Sequence, residues 1–249
     1  LITVSVLTQF FDANNKVAGL QMYKEITYLT PVIEPQKPFV VIISGAKFST
    51  KLPLIEKYVQ SADLVFVGGA LFNNVLKSLG YEIGVSLIDE DAMYVNNLVQ
   101  SNSFTEKVYI PKVVTVKNTI TGSIRDVSIT DVQKDEAIMD ISSESIIDFT
   151  KHIMQLDAKT ILWNGPVGNF EVEPFAQGTE ILAEKILGYM GSSVLQDVKL
   201  VIGGGDTVSA LSQIEGLFAN PSVCVSTGGG AMLEFLEKDG DLPGIKSLL

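Results

Sequence analysis

The amino-acid sequence predicts a doubly wound α/β fold with a small β-rich insertion. Short runs of β-branched residues alternate with amphipathic stretches of helical length along most of the 249 residues, which is the rhythm of β-α-β units in a parallel sheet. Glycine clusters follow five of the apolar runs, where each strand would reach its carboxyl end. Because right-handed crossovers place helices on both faces, we expect a mostly parallel, six-stranded, Rossmann-like sheet.

The first 38 residues are predicted to precede this sheet. Residues 18–29 carry apolar side chains at near-helical spacing, and Pro31, Pro35 and Pro38 are expected to end that helix. The chain opens at Leu1 without a methionine, and its first eleven residues resemble the tail of a preceding unit. We therefore expect residues 1–38 to end one domain and connect it to a second domain at 39–249.

The alternating units of the second domain can be placed one by one. Strands are predicted at 39–43, 64–67, 160–163, 199–202 and 222–225, and helices at 51–62, 70–79, 143–156, 176–189, after Asp206 and at 230–237. The rhythm breaks between Asp89 and Asp140, where β-type runs at 108–116 and 125–130 flank a Thr-Gly turn. This stretch predicts the β-rich insertion at about 104–135.

Composition excludes several classes of protein. A net charge of −11 with 18 Lys and Arg disfavours nucleic-acid binding. The one cysteine, Cys224, rules out an intramolecular disulfide. No apolar run reaches membrane-span length, and no signal peptide is recognisable. We expect a cytoplasmic monomer with a small-molecule partner.

The glycine clusters predict an anion site. They are Ser44-Gly45, Gly68-Gly69, Asn164-Gly165, 203–205 and 228–230. Neither GxxxxGK[ST] nor GxGxxG is present, but each cluster opens a helix whose free N–H groups can bind phosphate. Tight packing explains any single cluster equally well; five at one edge favour phosphate.

Four side chains near these clusters are candidates for binding. Lys47 and Lys51 are four residues apart at a helix start, where they either bind an anion or are solvated surface lysines. Asp206 follows three glycines, where it either caps a helix or holds Mg²⁺. Glu171 either accepts hydrogen bonds from a ribose or lies on the surface. His152 is interpreted as structural or exposed, and Cys224 as a small buried hydrophobe rather than a nucleophile.

Five segments together resemble the C-terminal domain of phosphoglycerate kinase. They are SGAKFSTK, LVFVGGALFNNVLKSLGYEIG, WNGPVGNFEVEPFAQGT, VIGGGDT and VSTGGGAMLEFLEKDGDLPGIKSLL. The resemblance runs from about residue 18 to the end, with a weak middle. It implies an ATP-dependent phosphotransferase of glycolysis, with ADP or ATP and Mg²⁺ bound by this half. 3-Phosphoglycerate or 1,3-bisphosphoglycerate would bind an N-terminal domain that the sequence lacks.

The resemblance also implies roles for individual residues. Lys51 corresponds to the lysine that contacts the transferring phosphoryl group, and Asp206 to the magnesium ligand. Glu171 corresponds to the glutamate on the ribose. The other matching residues contact nucleotide or support the transferred charge: Lys47, Gly68, Gly69, Asn164, Pro166, Gly204, Gly205, Thr207, Gly228, Gly229 and Gly230.

The sequence departs from the family pattern mainly on the side of the base. Ser44 replaces the first glycine of Gly-Gly-Ala-Lys, and Ala70 the third glycine of a triplet. Residues 138–143 and 109–112 also differ from the corresponding family segments, so the base preference stays open. The alternative function is a noncatalytic nucleotide-binding module, a divergent or truncated relative.

Overall fold

The computed structural model describes residues 8–89, 95–192 and 197–248. Its centre is a parallel six-stranded sheet with the strand order β3-β2-β1-β7-β8-β9. The bounds of these strands are β1 Phe39–Ser44, β2 Leu64–Gly68, β3 Val108–Tyr109, β7 Thr160–Asn164, β8 Lys199–Gly203 and β9 Val223–Ser226. The predicted doubly wound α/β class is confirmed.

The helices follow the strands as the alternating pattern predicts. Their bounds are Leu20–Ile33, Phe48–Ser61, Gly69–Ser78, Val95–Val99, Asn102–Lys107, Ser143–Leu156, Gln177–Met190, Gly205–Ala210, Gly230–Glu237 and Pro243–Lys246. Short 3-10 turns lie at Thr8–Phe10 and Ala13–Asn15. The predicted helices at 143–156 and 230–237 coincide with those observed.

Central strands form where the apolar runs are continuous. Every residue of β1 and of β7 is buried, as expected for strands that are covered by helices on both faces. The helix Ser143–Leu156 begins where the Ser142 side chain accepts the Ser145 N–H and ends at Asp157, which has a φ of 54°. Local sequence signals therefore fix these elements well.

A second, antiparallel sheet of three strands confirms the β-rich insertion. It consists of β4 Val113–Asn118, β5 Ile124–Ser128 and β6 Glu136–Ile141 in the order β5-β4-β6. This sheet reaches Ile141, beyond the predicted limit near residue 135, whereas Val108–Tyr109 belongs to the main sheet.

Two sequence predictions differ from the structure at positions where a proline lies. The run at 108–116 is two strands in two sheets rather than one strand, because Pro111 has no N–H and the chain changes sheets there. The helix Leu20–Ile33 continues through Pro31. Pro31 lies in the last turn, where it removes one backbone hydrogen bond, and the Thr30 hydroxyl donates to the carbonyl of Ile26 at 2.7 Å.

Candidate nucleotide cleft

The strand order places a cleft at the centre of the main sheet. β1 and β7 lie side by side at the centre. β2 and then β3 lie on the outer side of β1, and β8 and then β9 lie on the outer side of β7. The order reverses between β1 and β7, and open α/β sheets bind ligands beyond the carboxyl ends of the strands at such a point. A cleft of about 350 Å³ opens here, lined by the loops after β1, β2 and β7, by Asp206 and by the end of β6.

Glycine allows the loops around this cleft to approach closely. Gly165 has a φ of +102°, and a Cβ atom there would lie 2.0 Å from the carbonyl oxygen of Ser44. Gly69 has a φ of +60°, and its Cβ position lies 2.9 Å from the backbone nitrogen of Gly45. These two positions require glycine both for conformation and for space.

The two candidate lysines have different environments. The ammonium group of Lys51 donates to the carbonyl of Ser44 and, at 2.6 Å, to Oδ1 of Asn164. Burial lowers the pKa of Lys51 to about 8, and the negative charge of Asp206 opposes this shift. Lys47 is exposed and caps the helix Phe48–Ser61 with an extended backbone. The surface-lysine interpretation is therefore wrong for Lys51.

Asp206 lies at the cleft and is not the helix N-cap, which was one of the two alternatives that the sequence left open. Gly204, with a φ of +94°, occupies the N-cap position, and Asp206 lies in the first turn of the helix Gly205–Ala210. The shift arises because positive φ is accessible to glycine at low cost. Within the described residues no side chain caps this helix, and the carboxylate of Asp206 is exposed at the cleft.

Thr207 holds neighbouring loops together. Its buried hydroxyl donates to the Gly203 carbonyl and accepts the Gly165 N–H, both at 2.7 Å. The hydroxyl hydrogen of Thr207 is therefore already donated. A phosphate could contact this hydroxyl group only if the hydrogen bond to Gly203 were broken, and would otherwise contact other atoms of Thr207. Asn164 is also buried and holds Lys51, whereas Pro166 and Glu171 line the cleft and Glu171 is exposed.

The glycines after β9 lie outside this cleft. Gly228 lines a separate, mainly apolar groove between the helices Leu20–Ile33 and Gly230–Glu237. Glu25 joins the helix Leu20–Ile33 to the end of β9 by accepting hydrogen bonds from the Thr227 N–H at 2.9 Å and the Ser226 hydroxyl at 2.5 Å. β9 is the outermost strand, two strands away from β7. The loop that follows it, with Gly228, Gly229 and Gly230, therefore lies at the carboxyl edge of the same sheet but at its outer end. Gly68 is buried behind Gly69.

Three polar residues near the cleft were not among the predicted site residues. The hydroxyl of Ser44 donates to the Pro166 carbonyl. Asn73 is buried, and its Oδ1 has no hydrogen-bond partner in the described part of the chain. Asp140 is a buried carboxyl group. Asp140 follows an apolar run that could have suggested a strand end, whereas nothing in the sequence signals the partners of Ser44.

The donor groups at the cleft fit Mg²⁺ bound together with phosphate. Among the described residues no cluster of three or more His, Cys, Asp or Glu side chains could hold a metal ion alone. Mg²⁺ commonly takes one or two carboxylates plus phosphate oxygens and waters. The exposed carboxylate of Asp206 could supply the one protein ligand of the metal, and the neighbouring ammonium group of Lys51 could face the phosphate.

His152 and Cys224 are both remote from the cleft lining. His152 is exposed, and its Nδ1 lies 2.9 Å from the carbonyl of Asp148. Cys224 is half-buried in β9, where burial raises the pKa of its thiol. A raised pKa disfavours the thiolate needed for nucleophilic chemistry. No helix within the described ranges is both long and apolar enough to cross a membrane.

Fold and cleft together define a doubly wound α/β protein with a cleft at the switch point of its sheet. The family model for phosphoglycerate kinase matches residues 3–239. The chain belongs to the phosphoglycerate kinase family.

Similar proteins have the same fold over nearly the whole chain. A phosphoglycerate kinase of Staphylococcus epidermidis is 36% identical over 235 residues, which cover 93% of this chain and 56% of that protein. The structure of phosphoglycerate kinase from Coxiella burnetii matches with a TM-score of 0.80 at 35% identity, covering 93% of this chain and 57% of that one. The structure from Pyrococcus horikoshii matches with a TM-score of 0.71 at 26% identity. The chain thus spans about half the length of these relatives.

Proposed function

We propose that this chain is the nucleotide-binding half of a phosphoglycerate kinase, which transfers a phosphoryl group between 1,3-bisphosphoglycerate and ADP. The observation that carries the proposal is the convergence of Lys51 and Asn164 with Asp206, which lines the switch-point cleft. A half-buried cation beside an exposed carboxylate suits a magnesium nucleotide. The remainder of the site, with its basic groups for the glycerate phosphate, would come from an N-terminal domain.

The reaction needs positioning and charge stabilisation. An oxygen of the ADP β-phosphate attacks the phosphorus of the acyl phosphate, the bond from phosphorus to the acyl oxygen breaks, and 3-phosphoglycerate leaves as a carboxylate. Lys51 would contact the transferring oxygens, where it offsets the charge of a metaphosphate-like transition state. Asn164 orients the ammonium group of Lys51.

The other candidate residues would hold the nucleotide. Glu171 would accept hydrogen bonds from the ribose, with Pro166 and Gly69 along the cleft walls. The remaining nucleotide contacts are assigned to the glycine loops and to the starts of the helices Phe48–Ser61 and Gly205–Ala210: Lys47, Gly68, Gly204, Gly205 and Thr207. Gly228 and Gly229 would support the transferred charge once an upstream domain closes over the sheet edge.

Asp206 is the proposed magnesium ligand. When bound, Mg²⁺ would neutralise part of the phosphate charge of the nucleotide. The single negative charge of Asp206, exposed in the cleft, needs only phosphate oxygens and water to complete a coordination shell. A monomeric state and a cytoplasmic location belong to the same proposal.

The cleft also bears on the base preference. Its wall opposite the glycine loops is formed by Leu87 and the end of β6, including Ile138 and Met139. These side chains give an apolar surface on which a purine base can pack, and they offer no base-specific hydrogen bond from this wall. We therefore propose adenine nucleotides with only modest discrimination among purines.

A coupled assay tests the kinase activity directly. The chain alone is compared with the same chain preceded by the N-terminal domain from its own upstream coding sequence, with 1,3-bisphosphoglycerate and Mg·ADP as substrates. The extended protein should turn over, and the chain alone should not. If the extended protein binds nucleotide without turnover, the noncatalytic module is the better description.

A further inference from the structure

The two walls of the cleft come from different sheets. One wall is the end of β6 in the antiparallel sheet, and the other is the loop 165–171 after β7 in the main sheet. They are joined directly by the backbone N–H of Asn169, which donates to the carbonyl of Met139 at 2.8 Å. The width of the cleft therefore depends on how firmly β6 and this loop are held together.

Asp140 is placed at this junction. It is only 3% exposed. Its Oδ1 accepts the Ile141 N–H, and its Oδ2 accepts the N–H of Gly178, both at 2.8 Å. Gly178 lies in the first turn of the helix Gln177–Met190, which continues from the loop. One carboxyl group thus connects β6 to the chain that follows the opposite wall.

Two glycines admit the carboxyl group. A Cβ atom at Gly168 would lie 2.1 Å from Oδ1 of Asp140, and one at Gly178 would lie 2.5 Å from the same atom. Neither position has room for a side chain while Asp140 keeps its place. The contact with Gly168 brings Asp140 against the loop itself, three residues before Glu171.

We propose that Asp140 is a positioning residue for nucleotide binding, which as a carboxylate holds the loop 165–171 against β6. The inference rests on the proposed nucleotide site. Each oxygen of the ionised group accepts one backbone N–H. Protonation would remove the negative charge and make one oxygen a hydroxyl group, which is a much weaker acceptor. The hydrogen bonds from Ile141 and Gly178 would then be weaker, so the loop that presents Glu171 would be held less firmly.

The charge of Asp140 is poised to change near neutral pH. Burial raises its pKa to about 7, the N–H groups of Gly178 and Ile141 oppose the shift, and the negative charges of Asp126 and Glu180 add to it. Asp126 faces Asp140 from β5 and Glu180 from the helix Gln177–Met190. Arg125 and Glu136 of this sheet form an ion pair with each other, in which Arg125 Nε lies 2.8 Å from Glu136 Oε1. Nucleotide affinity should therefore fall as the pH drops through about 7.

The test compares Asp140→Asn, which keeps the shape of the side chain, with Glu144→Gln, which removes a charge outside the cleft lining. Calorimetry at saturating Mg²⁺ gives the Kd of ADP between about pH 5.5 and 8.5 for both variants and the unmodified chain. The terminal phosphate also titrates in this range, but it does so equally for all three proteins. The ratio of each variant's Kd to the Kd of the unmodified chain therefore cancels the titration of the nucleotide and reports only groups of the protein.

At high pH, Asp140→Asn should bind ADP about three- to tenfold more weakly than the unmodified chain, because one charge-assisted hydrogen bond is lost. The two should converge as the pH falls below 7, whereas Glu144→Gln should follow the unmodified chain throughout. A ratio for Asp140→Asn that stays at one, or stays constant with pH, would overturn the inference. Absence of ADP binding by the unmodified chain at every pH would instead overturn the nucleotide site itself.

A second measurement does not depend on the folding of the variant. Carboxyl carbon NMR of the unmodified chain labelled at aspartate follows Asp140, whose carboxyl group is expected to titrate near pH 7. By linkage, ADP should lower this pKa, because the bound state favours the carboxylate. A pKa that ADP leaves unchanged or raises would overturn the positioning role.

Discussion

At the scale of single residues, the contrast between Lys47 and Lys51 shows what spacing can and cannot predict. Four-residue spacing placed both side chains on one helical face. Lys47 precedes the helix with a φ of −106°, so helical spacing does not apply to it. Lys51 lies inside the first turn, and its partners Ser44 and Asn164 come from two different strands. Such partners are invisible until the strand order is known.

Substitution of the two lysines should separate their roles in the complete protein. Lys51→Ala should mainly lower kcat, by about one to two decades, because its contact strengthens as charge moves onto the transferring oxygens. Lys47→Ala should mainly raise the KM for nucleotide, since an exposed lysine contributes to binding rather than to the transition state. Steady-state kinetics measure both. An unaltered kcat for Lys51→Ala would remove Lys51 from the reaction.

Substitution of Asp206 tests the magnesium role. Asp206→Asn should reduce the dependence of nucleotide binding on Mg²⁺ much more than it reduces stability, because the structure places no capping bond on this side chain. Calorimetric titrations with and without Mg²⁺, together with urea unfolding, measure the two effects. The metal role would be contradicted if Mg²⁺ strengthened ADP binding equally in both proteins.

At the scale of elements, apolar periodicity and capping residues predicted most helices and strands correctly. They did not predict which strands pair with each other in a sheet. The helices 143–156 and 230–237 were predictable from apolar periodicity and their flanking residues. The division of 108–116 between two sheets was not, because it depends on which strand Val108 pairs with. Asp140 was missed for the same reason, since its partner Gly178 lies on a distant helix.

The glycine after β7 offers a test at this scale. Gly165→Ala should lower the free energy of unfolding by about 2–5 kcal/mol, because it combines positive φ with a collision against the Ser44 carbonyl. Urea unfolding followed by the fluorescence of Trp163, whose Nε1 donates to the Gly165 carbonyl at 2.7 Å, measures the loss.

Gly188→Ala is the matched control for this experiment. Gly188 is exposed in the helix Gln177–Met190, and its Cβ position has no neighbour within 4 Å among the described residues. Alanine there should stabilise the protein by about 0.5–1 kcal/mol, since glycine is the weaker helix former. The account of the loop would be wrong if both substitutions had the same effect.

At the scale of the whole molecule, the chain spans about half the length of its phosphoglycerate kinase relatives. Among the described residues, loops of the main sheet and the end of β6 line the switch-point cleft, whereas Gly228 lines a separate, mainly apolar groove. Family membership was predictable from five segments in order. Base preference was not, because the apolar wall of the cleft comes from the inserted sheet, where the resemblance is weakest.

The central claim is that this chain binds a magnesium nucleotide at the switch-point cleft, and isothermal titration of the chain with Mg·ADP tests it most directly. The account predicts a single site whose affinity for Mg·ADP is strongly reduced in Asp206→Asn, because that substitution removes the carboxylate that lines the cleft. Gly188→Ala, on an exposed helix surface, should bind like the unmodified chain. The claim would be contradicted by the absence of any heat at millimolar Mg·ADP, or by binding that Asp206→Asn leaves unchanged.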